Sequence, residues 1–310
     1  MAGGGSESGA AILAAFVANI GIAIAKFVGF AITGSSAMLA EAVHSVADAG
    51  NQGLLALGGR RARRAATPLH PLGYGRARYF WSFVVAVVLF SLGGLFSLYE
   101  GWRKISDPHE VTSPIVAFVV LGAAIVFEAY ALRTAMKHAR PELNGRSWTQ
   151  YIRTSRSPEL PVLLLEDSGA LLGLVFAITG IALALVTGNP IFDGLGTMAI
   201  GLLLVSIAIV LALEMKSLLI GEAAAPDDLV QIEAALTEGR EVRRLIHMAT
   251  QHLGPQELLI GAKVEFDAGL SVRELSAAIN AAEQRVRAAV PSAKVLYIEP
   301  DVYDPARAGG

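Results

Sequence analysis

Long apolar runs broken by short polar connections dominate the first two thirds of the chain. Six of them reach the roughly 20 helical residues needed to cross a bilayer. They lie near 10–32, 37–59, 79–101, 113–134, 162–187 and 191–219. The first two are joined by Thr33-Gly-Ser-Ser36 and the last two by Thr187-Gly-Asn-Pro190, turns short enough to make each pair a helical hairpin. After Leu219 the period changes. Residues 227–238 predict a helix, 242–252 and 257–267 predict strands, and Leu258, Ile260, Ala262, Val264 and Phe266 alternate along the second. Ser271 followed by Glu274 is a capping box. It opens a helix with Val272, Leu275, Ile279, Ala282 and Val286 on one face, and Lys294 to Glu299 is the last strand.

The predicted fold is therefore an all-α six-helix transmembrane bundle followed by a small α+β cytoplasmic domain over 220–304. Short tails cover 1–9 and 305–310. Its order α-β-β-α-β makes a three-stranded sheet with helices on one face and the other face free for a partner. Composition agrees. The 310 residues are 54% hydrophobic and only 17% charged, with mean hydropathy +0.53, the balance of a multi-span membrane protein. A net charge of −2 argues against nucleic acid, and the absence of cysteine excludes disulfides and thiolate metal sites. Met1 to Gly9 lacks the basic start of a secretory signal and is expected to be a flexible tail.

Basic residues orient the bundle. Arg60, Arg61, Arg63, Arg64, Arg76 and Arg78 fall between spans two and three. Arg133, Lys137, Arg140, Arg146, Arg153 and Arg156 fall between spans four and five, whereas the other connections hold only Arg103 and Lys104. By the positive-inside rule both basic loops, and with them both termini, are expected in the cytoplasm, with the cell membrane as the expected location. Trp148, Tyr151 and Ile152 among the arginines predict a short surface helix in the second loop.

Span two departs from its apolar background. Glu41, His44, Asp48 and Asn51 follow helical spacing and share one face. Ionisable groups at membrane depth cost roughly 2.5 to 3.5 kcal/mol each on insertion scales, so a compensating ion is called for. A divalent metal held by imidazole nitrogen and carboxylate oxygen meets that need. Span five opens Pro161-Val-Leu-Leu-Leu-Glu166-Asp167-Ser168-Gly169, and Asp167 is expected to meet His44 and Asp48. Asn19, Lys26, Glu128 and Asp193 are further polar groups within spans. Asn19 and Glu128 either line a cavity or pack helices. Lys26 is expected to snorkel toward an interface, and Asp193 to complement the start of span six. The Arg60–Arg64 cluster sets topology, or touches anionic lipid.

Gly34-Ser-Ser-Ala-Met-Leu-Ala-Glu-Ala-Val-His-Ser-Val-Ala-Asp48 resembles the second-span signature of the cation diffusion facilitator family. His70-Pro-Leu-Gly-Tyr-Gly75, Asn189-Pro-x-x-Asp193-Gly and Leu218-Leu-Ile-Gly-Glu222 are similar to the family's as well. Asn51-Gln-Gly-Leu-Leu-Ala-Leu-Gly58 and Leu165-Glu-Asp-Ser168 resemble the branch that includes the animal mitochondrial zinc transporter. The resemblance implies a homodimer with a ferredoxin-like, metallochaperone-like C-terminal domain. It implies proton-coupled export of Zn²⁺ or a similar cation by alternating access, the metal being cargo and no cofactor being needed. In such a site two ligands come from span two and two from span five, four residues apart. His44 and Asp48 match the first pair and Asp167 the later member of the second. The earlier member falls on Leu163, which cannot ligate, leaving water, Glu166 or Asn51 as the fourth ligand and Mn²⁺, Fe²⁺ or Co²⁺ as alternative cargo. His70 matches a loop ligand whose partner position is Tyr74. His247, Lys263 and Glu299 occupy C-terminal positions where the resemblance implies ligands, with Lys263 offering no lone pair; His70, His247 and His252 are expected to be structural or solvated. No His-Glu-x-x-His pattern supports an intramembrane enzyme. A compact ligand cluster would trap ions in a passive channel, so the remaining alternative is a non-transporting partner or regulatory subunit.

Overall fold

The computed structural model describes residues 20–143 and 145–305. The tail 1–9, the start of the first predicted span, Asn19 and the last five residues lie outside them. The described residues form two compact units, one holding 20–58 with Phe80–Met215, the other Gly59–Tyr79 with 216–305.

The first unit is helical. Its elements are α1 (Ile20–Thr33), α2 (Ser36–Ala62), α3 (Ala77–Ser106), α4 (Pro114–Ala139), α5 (Trp148–Thr154), α6 (Glu159–Thr187) and α7 (Ile191–Ile220). Four of them, α3, α4, α6 and α7, are long and apolar enough to cross a membrane. The helix α2 has the length, but its polar stripe and terminal arginines lower its hydropathy. The described part of α1 is 14 residues, from 20 to 33. The predicted turns are present: Gly34 (φ +65°) links α1 to α2, and Gly188 (φ +67°) ends α6. A π-helical turn over Leu89–Leu95 interrupts α3, which apolar periodicity does not reveal.

Small residues let the helices approach. A Cβ on Gly180 of α6 would lie 2.8 Å from the Phe192 carbonyl oxygen and 3.2 Å from the Gly196 Cα of α7. Such close backbones are the usual means of helix association in lipid, where apolar burial drives little. The core between them draws on Met38, Leu89, Leu121, Leu174, Ile181, Ile200 and Leu204. The helix predicted between spans four and five is α5. Its Ser147–Gln150 capping box is formed, and Tyr151 is buried with its hydroxyl donating to Glu142 Oε2 at 2.6 Å. Burial and that hydrogen bond push the Tyr151 phenol above its ordinary pKa.

The second unit contains α8 (Pro226–Thr237), β1 (Val242–Gly254), β2 (Glu257–Phe266), α9 (Val272–Ala289) and β3 (Ala293–Pro300). The order is the expected α-β-β-α-β. The central strand β2 pairs antiparallel with β1 and parallel with β3. The alternation along β2 is observed, with Leu258, Ile260, Ala262, Val264 and Phe266 all buried against both helices. One position differs. Val272 is 85% exposed, because it is the first residue after the Ser271 cap and lies before the helix reaches the sheet; Ala278, Ala282 and Val286 form the buried face. The 59–79 segment packs on the β1–β2 turn, and Gly75 explains the motif around it. A Cβ there would clash with the Leu253 carbonyl at 2.6 Å and with the Glu257 side chain. Ile260→Ala, at a fully buried site, is expected to destabilise this unit by about 2 to 5 kcal/mol. Chemical denaturation followed by far-UV circular dichroism checks it.

Candidate functional site

The stripe on α2 faces inward. Glu41, His44 and Asn51 are each no more than 1% exposed. The i,i+4 spacing brings His44 Nε2 to 3.5 Å from Asp48 Oδ2. That is too long for a hydrogen bond, and both ring nitrogens of His44 are buried without a hydrogen-bonding partner, as are Asp48 Oδ1 and Asp167 Oδ2. Buried polar atoms normally find partners, so unpaired lone pairs on three side chains mark a place meant for something else. The π-helical turn of α3 borders it, since a Cβ on Gly93 would sit 3.7 Å from His44 Nδ1. Such turns recur at functional sites because they re-aim the residues around them.

The other expected ligands are disposed differently. Asp167 lies within electrostatic reach of Asp48. Asn51 and Glu166 pair with each other, the amide nitrogen donating to Glu166 Oε1 at 2.6 Å. Adjacent carboxylates on a helix diverge by about 100°, which directs Glu166 to Asn51 and separates it from Asp167. Leu163 packs with Tyr151, Leu164, Ala135 and Ala139 beneath α5. Among the described residues no three His, Asp or Glu side chains converge closely enough to form a ready-made metal cluster.

Lys26 does not snorkel. Its ammonium is wholly buried, donating to Glu41 Oε2 at 3.0 Å and Ser45 Oγ at 2.8 Å. About two helical turns from the Gly34 hairpin tip, Lys26 lies alongside the Glu41 carboxylate that α2 brings back to it. Glu41 is thereby a link between α1 and α2, and its other oxygen points at Gly173 of α6, where a Cβ would come within 2.5 Å. At the hairpin tip itself Asp193 accepts from Ser35 Oγ (2.8 Å) and the Ser36 amide (3.0 Å), so it caps α2, and it lies 3.8 Å from Lys104.

The secondary positions are occupied by direct contacts. His70 lies edge-on to Tyr74 with centroids 4.6 Å apart. Strand register puts His247, Lys263 and Glu299 in one row across the sheet. Lys263 Nζ lies 3.2 Å from Glu299 and 3.3 Å from Asp301, and these carboxylates hold its ammonium above the ordinary lysine pKa. A tethered cation stands in this row. His252 is buried, with Nδ1 3.4 Å from the Gly254 carbonyl.

An apolar helical bundle with unpaired buried nitrogen and carboxylate groups, followed by a small α+β unit, is the form of a membrane cation carrier. The family model for the cation efflux transmembrane domain matches residues 12–220, and the chain belongs to that family of membrane transporters, not of enzymes. It is 33% identical over 250 residues to the proton-coupled zinc antiporter SLC30A9, mitochondrial, of Homo sapiens, covering 80% of this chain and 44% of that protein. Metal tolerance protein C4 of Arabidopsis thaliana is 30% identical over 85% of this chain and 58% of its own length. Magnetosome protein MamB of Magnetospira sp. (strain QH-2) is 26% identical over 92% of both. The chain thus spans about half the length of the first two relatives. The expectation of a cell-membrane location is corrected here: a relative at 33% identity is by its name mitochondrial. Loop charge orients a bundle in a membrane and carries no address for which membrane.

Proposed function

We propose that the chain exchanges a divalent metal cation, Zn²⁺ first, for protons across a membrane. The observation that carries this reading is His44, buried to 1% with neither ring nitrogen hydrogen-bonded, beside Asp48. Support comes from relatives whose names specify zinc antiport, metal tolerance and the magnetosome. Six spans, near 10–32, 37–59, 79–101, 113–134, 162–187 and 191–219, enclose the site. The region 220–304 is a ferredoxin-like domain on the side of the basic loops, and two copies form a homodimer.

His44, Asp48 and Asp167 bind the cation from the side of the basic loops. Each must lose its proton to do so, and protons arriving from the other side displace the metal. Coupling follows from shared ligands. The sign is fixed: lowering pH on the loading side weakens metal binding, because protons compete for the same lone pairs.

Purified protein in liposomes with an imposed pH gradient should accumulate Zn²⁺ with a matching proton counterflow, read by paired metal and pH dyes. Mn²⁺, Fe²⁺ and Co²⁺ are compared in the same assay. Movement of none of the four, or uptake indifferent to the gradient, overturns the reading.

A further inference from the structure

Glu128 of α4 is a carboxylate inside a membrane helix that the three-ligand site leaves unused. The buried face of α4 runs through Ala117, Leu121, Ala124, Ala135 and Ala139. Steps of three and four place Glu128 on that stripe, one turn beyond Ala124. Its level on α6 follows from the apolar clusters on either side. Ala135 and Ala139 pack with Leu164, while Ala117, Leu121 and Ala124 share a core with Leu174, Ala177 and Ile181. The two helices run antiparallel, so Glu128 falls opposite the stretch between Leu164 and Leu174, which contains Asp167. The charges agree. Glu128 lies within electrostatic reach of Asp167, and of Asp48 and His44 as well.

Among the described residues, the other polar side chains named at this site are already engaged. Lys26 is engaged by Glu41 and Ser45, Asn51 and Glu166 hold each other, and Leu163 is packed under α5. Three carboxylates near one another, two of them near an imidazole with two unpartnered nitrogens, in a low-dielectric bundle, call for a cation although their side chains do not yet converge.

We propose that Glu128 is the fourth cargo ligand, supplied by α4 in place of the side chain that Leu163 cannot provide. The inference rests on the transporter reading above. The site then draws on three helices, with His44 and Asp48 from α2, Asp167 from α6 and Glu128 from α4. Rotamer changes of Glu128 and Asp167 close it, because their backbones already share a level. One nitrogen and three carboxylate oxygens make an oxygen-rich, hard donor set, so Mn²⁺ and Fe²⁺ become competent cargo alongside Zn²⁺.

The test measures metal binding directly. Co²⁺ titration of detergent-purified protein, read by its visible d–d bands, is compared for wild type, Glu128→Gln, Asp48→Asn and the double variant Leu163→His/Glu128→Gln. Glu128→Gln should weaken Co²⁺ binding at least about tenfold, and the added imidazole at position 163 should restore it. On wild-type protein, saturating Zn²⁺ should also protect Glu128 from dicyclohexylcarbodiimide, with modification mapped by mass spectrometry. This readout is independent of how the variants fold. Glu128→Gln that binds Co²⁺ like wild type, or Glu128 labelled at the same rate with and without Zn²⁺, overturns the proposal. If Asp48→Asn loses binding in the same series, the transporter reading survives that result. Absence of binding by wild type overturns both.

Discussion

Asp48→Asn should lower metal uptake into proteoliposomes by about 100-fold or more while leaving the protein at least as stable as wild type. The first half follows from ligand chemistry. Groups that merely orient a metal ligand are each worth roughly 10- to 100-fold in affinity or activity, and a ligand itself is worth more. The amide keeps the shape of the carboxylate but loses the charge and one lone-pair oxygen. The second half follows from burial. Asp48 Oδ1 has no hydrogen-bonding partner, and the nearest imidazole nitrogen is at 3.5 Å. A charge held in that state opposes folding, so neutralising it removes a penalty. Activity and stability should therefore move apart. Thermal denaturation by intrinsic fluorescence and uptake on the same preparation check both. Loss of both in parallel would identify Asp48 as a packing residue and sink the assignment.

The same separation explains what could be read from the sequence. Apolar runs, glycine turns and the Ser271–Glu274 cap are local, and α3, α4, α6, α7 and the α-β-β-α-β order of the second unit stand where local patterns put them. The stripe Glu41, His44, Asp48, Asn51 is also local, since helical spacing alone aligns it. What each stripe residue meets depends on the rotation and depth of other helices, which hydropathy does not encode. Asn51 and Glu166 looked like spare ligands because nothing in either helix says that they face each other. Lys26 looked like a snorkelling group because its partner lies 15 residues away across a turn. Glu128 carried one usable signal, its place on the Ala117–Leu121–Ala124 stripe of small and apolar residues. Val272 illustrates the reverse error: it fits the helical period of α9 but sits before the helix meets the sheet.

Lys26→Met should be among the most damaging single substitutions in the bundle, and pairing it with Glu41→Met should undo most of the harm. Lys26 and Glu41 are both fully buried and 3.0 Å apart, joining α1 to α2. Removing one member of such a pair leaves an uncompensated charge and costs about 3 to 5 kcal/mol. Glu41 is poorly placed to recover, because its second oxygen already lacks a partner and Gly173 leaves it no room to turn. Replacing both by apolar side chains of similar length removes two desolvation penalties at once and is close to neutral. Methionine fills irregular space well, which suits the change. Function adds a sharper condition. Lys26 lies within electrostatic reach of His44 and Asp48, so the single variant also shifts the charge around the site by one unit. The double variant leaves that net charge unchanged, since the cation and the carboxylate leave together. A double-mutant cycle on unfolding in detergent should give a large favourable coupling between the two positions. Uptake should be lost in Lys26→Met and recovered in Lys26→Met/Glu41→Met. A double variant that is stable yet inactive would instead place the pair on the proton or metal route itself, and independent, additive losses would deny that the two charges support each other at all.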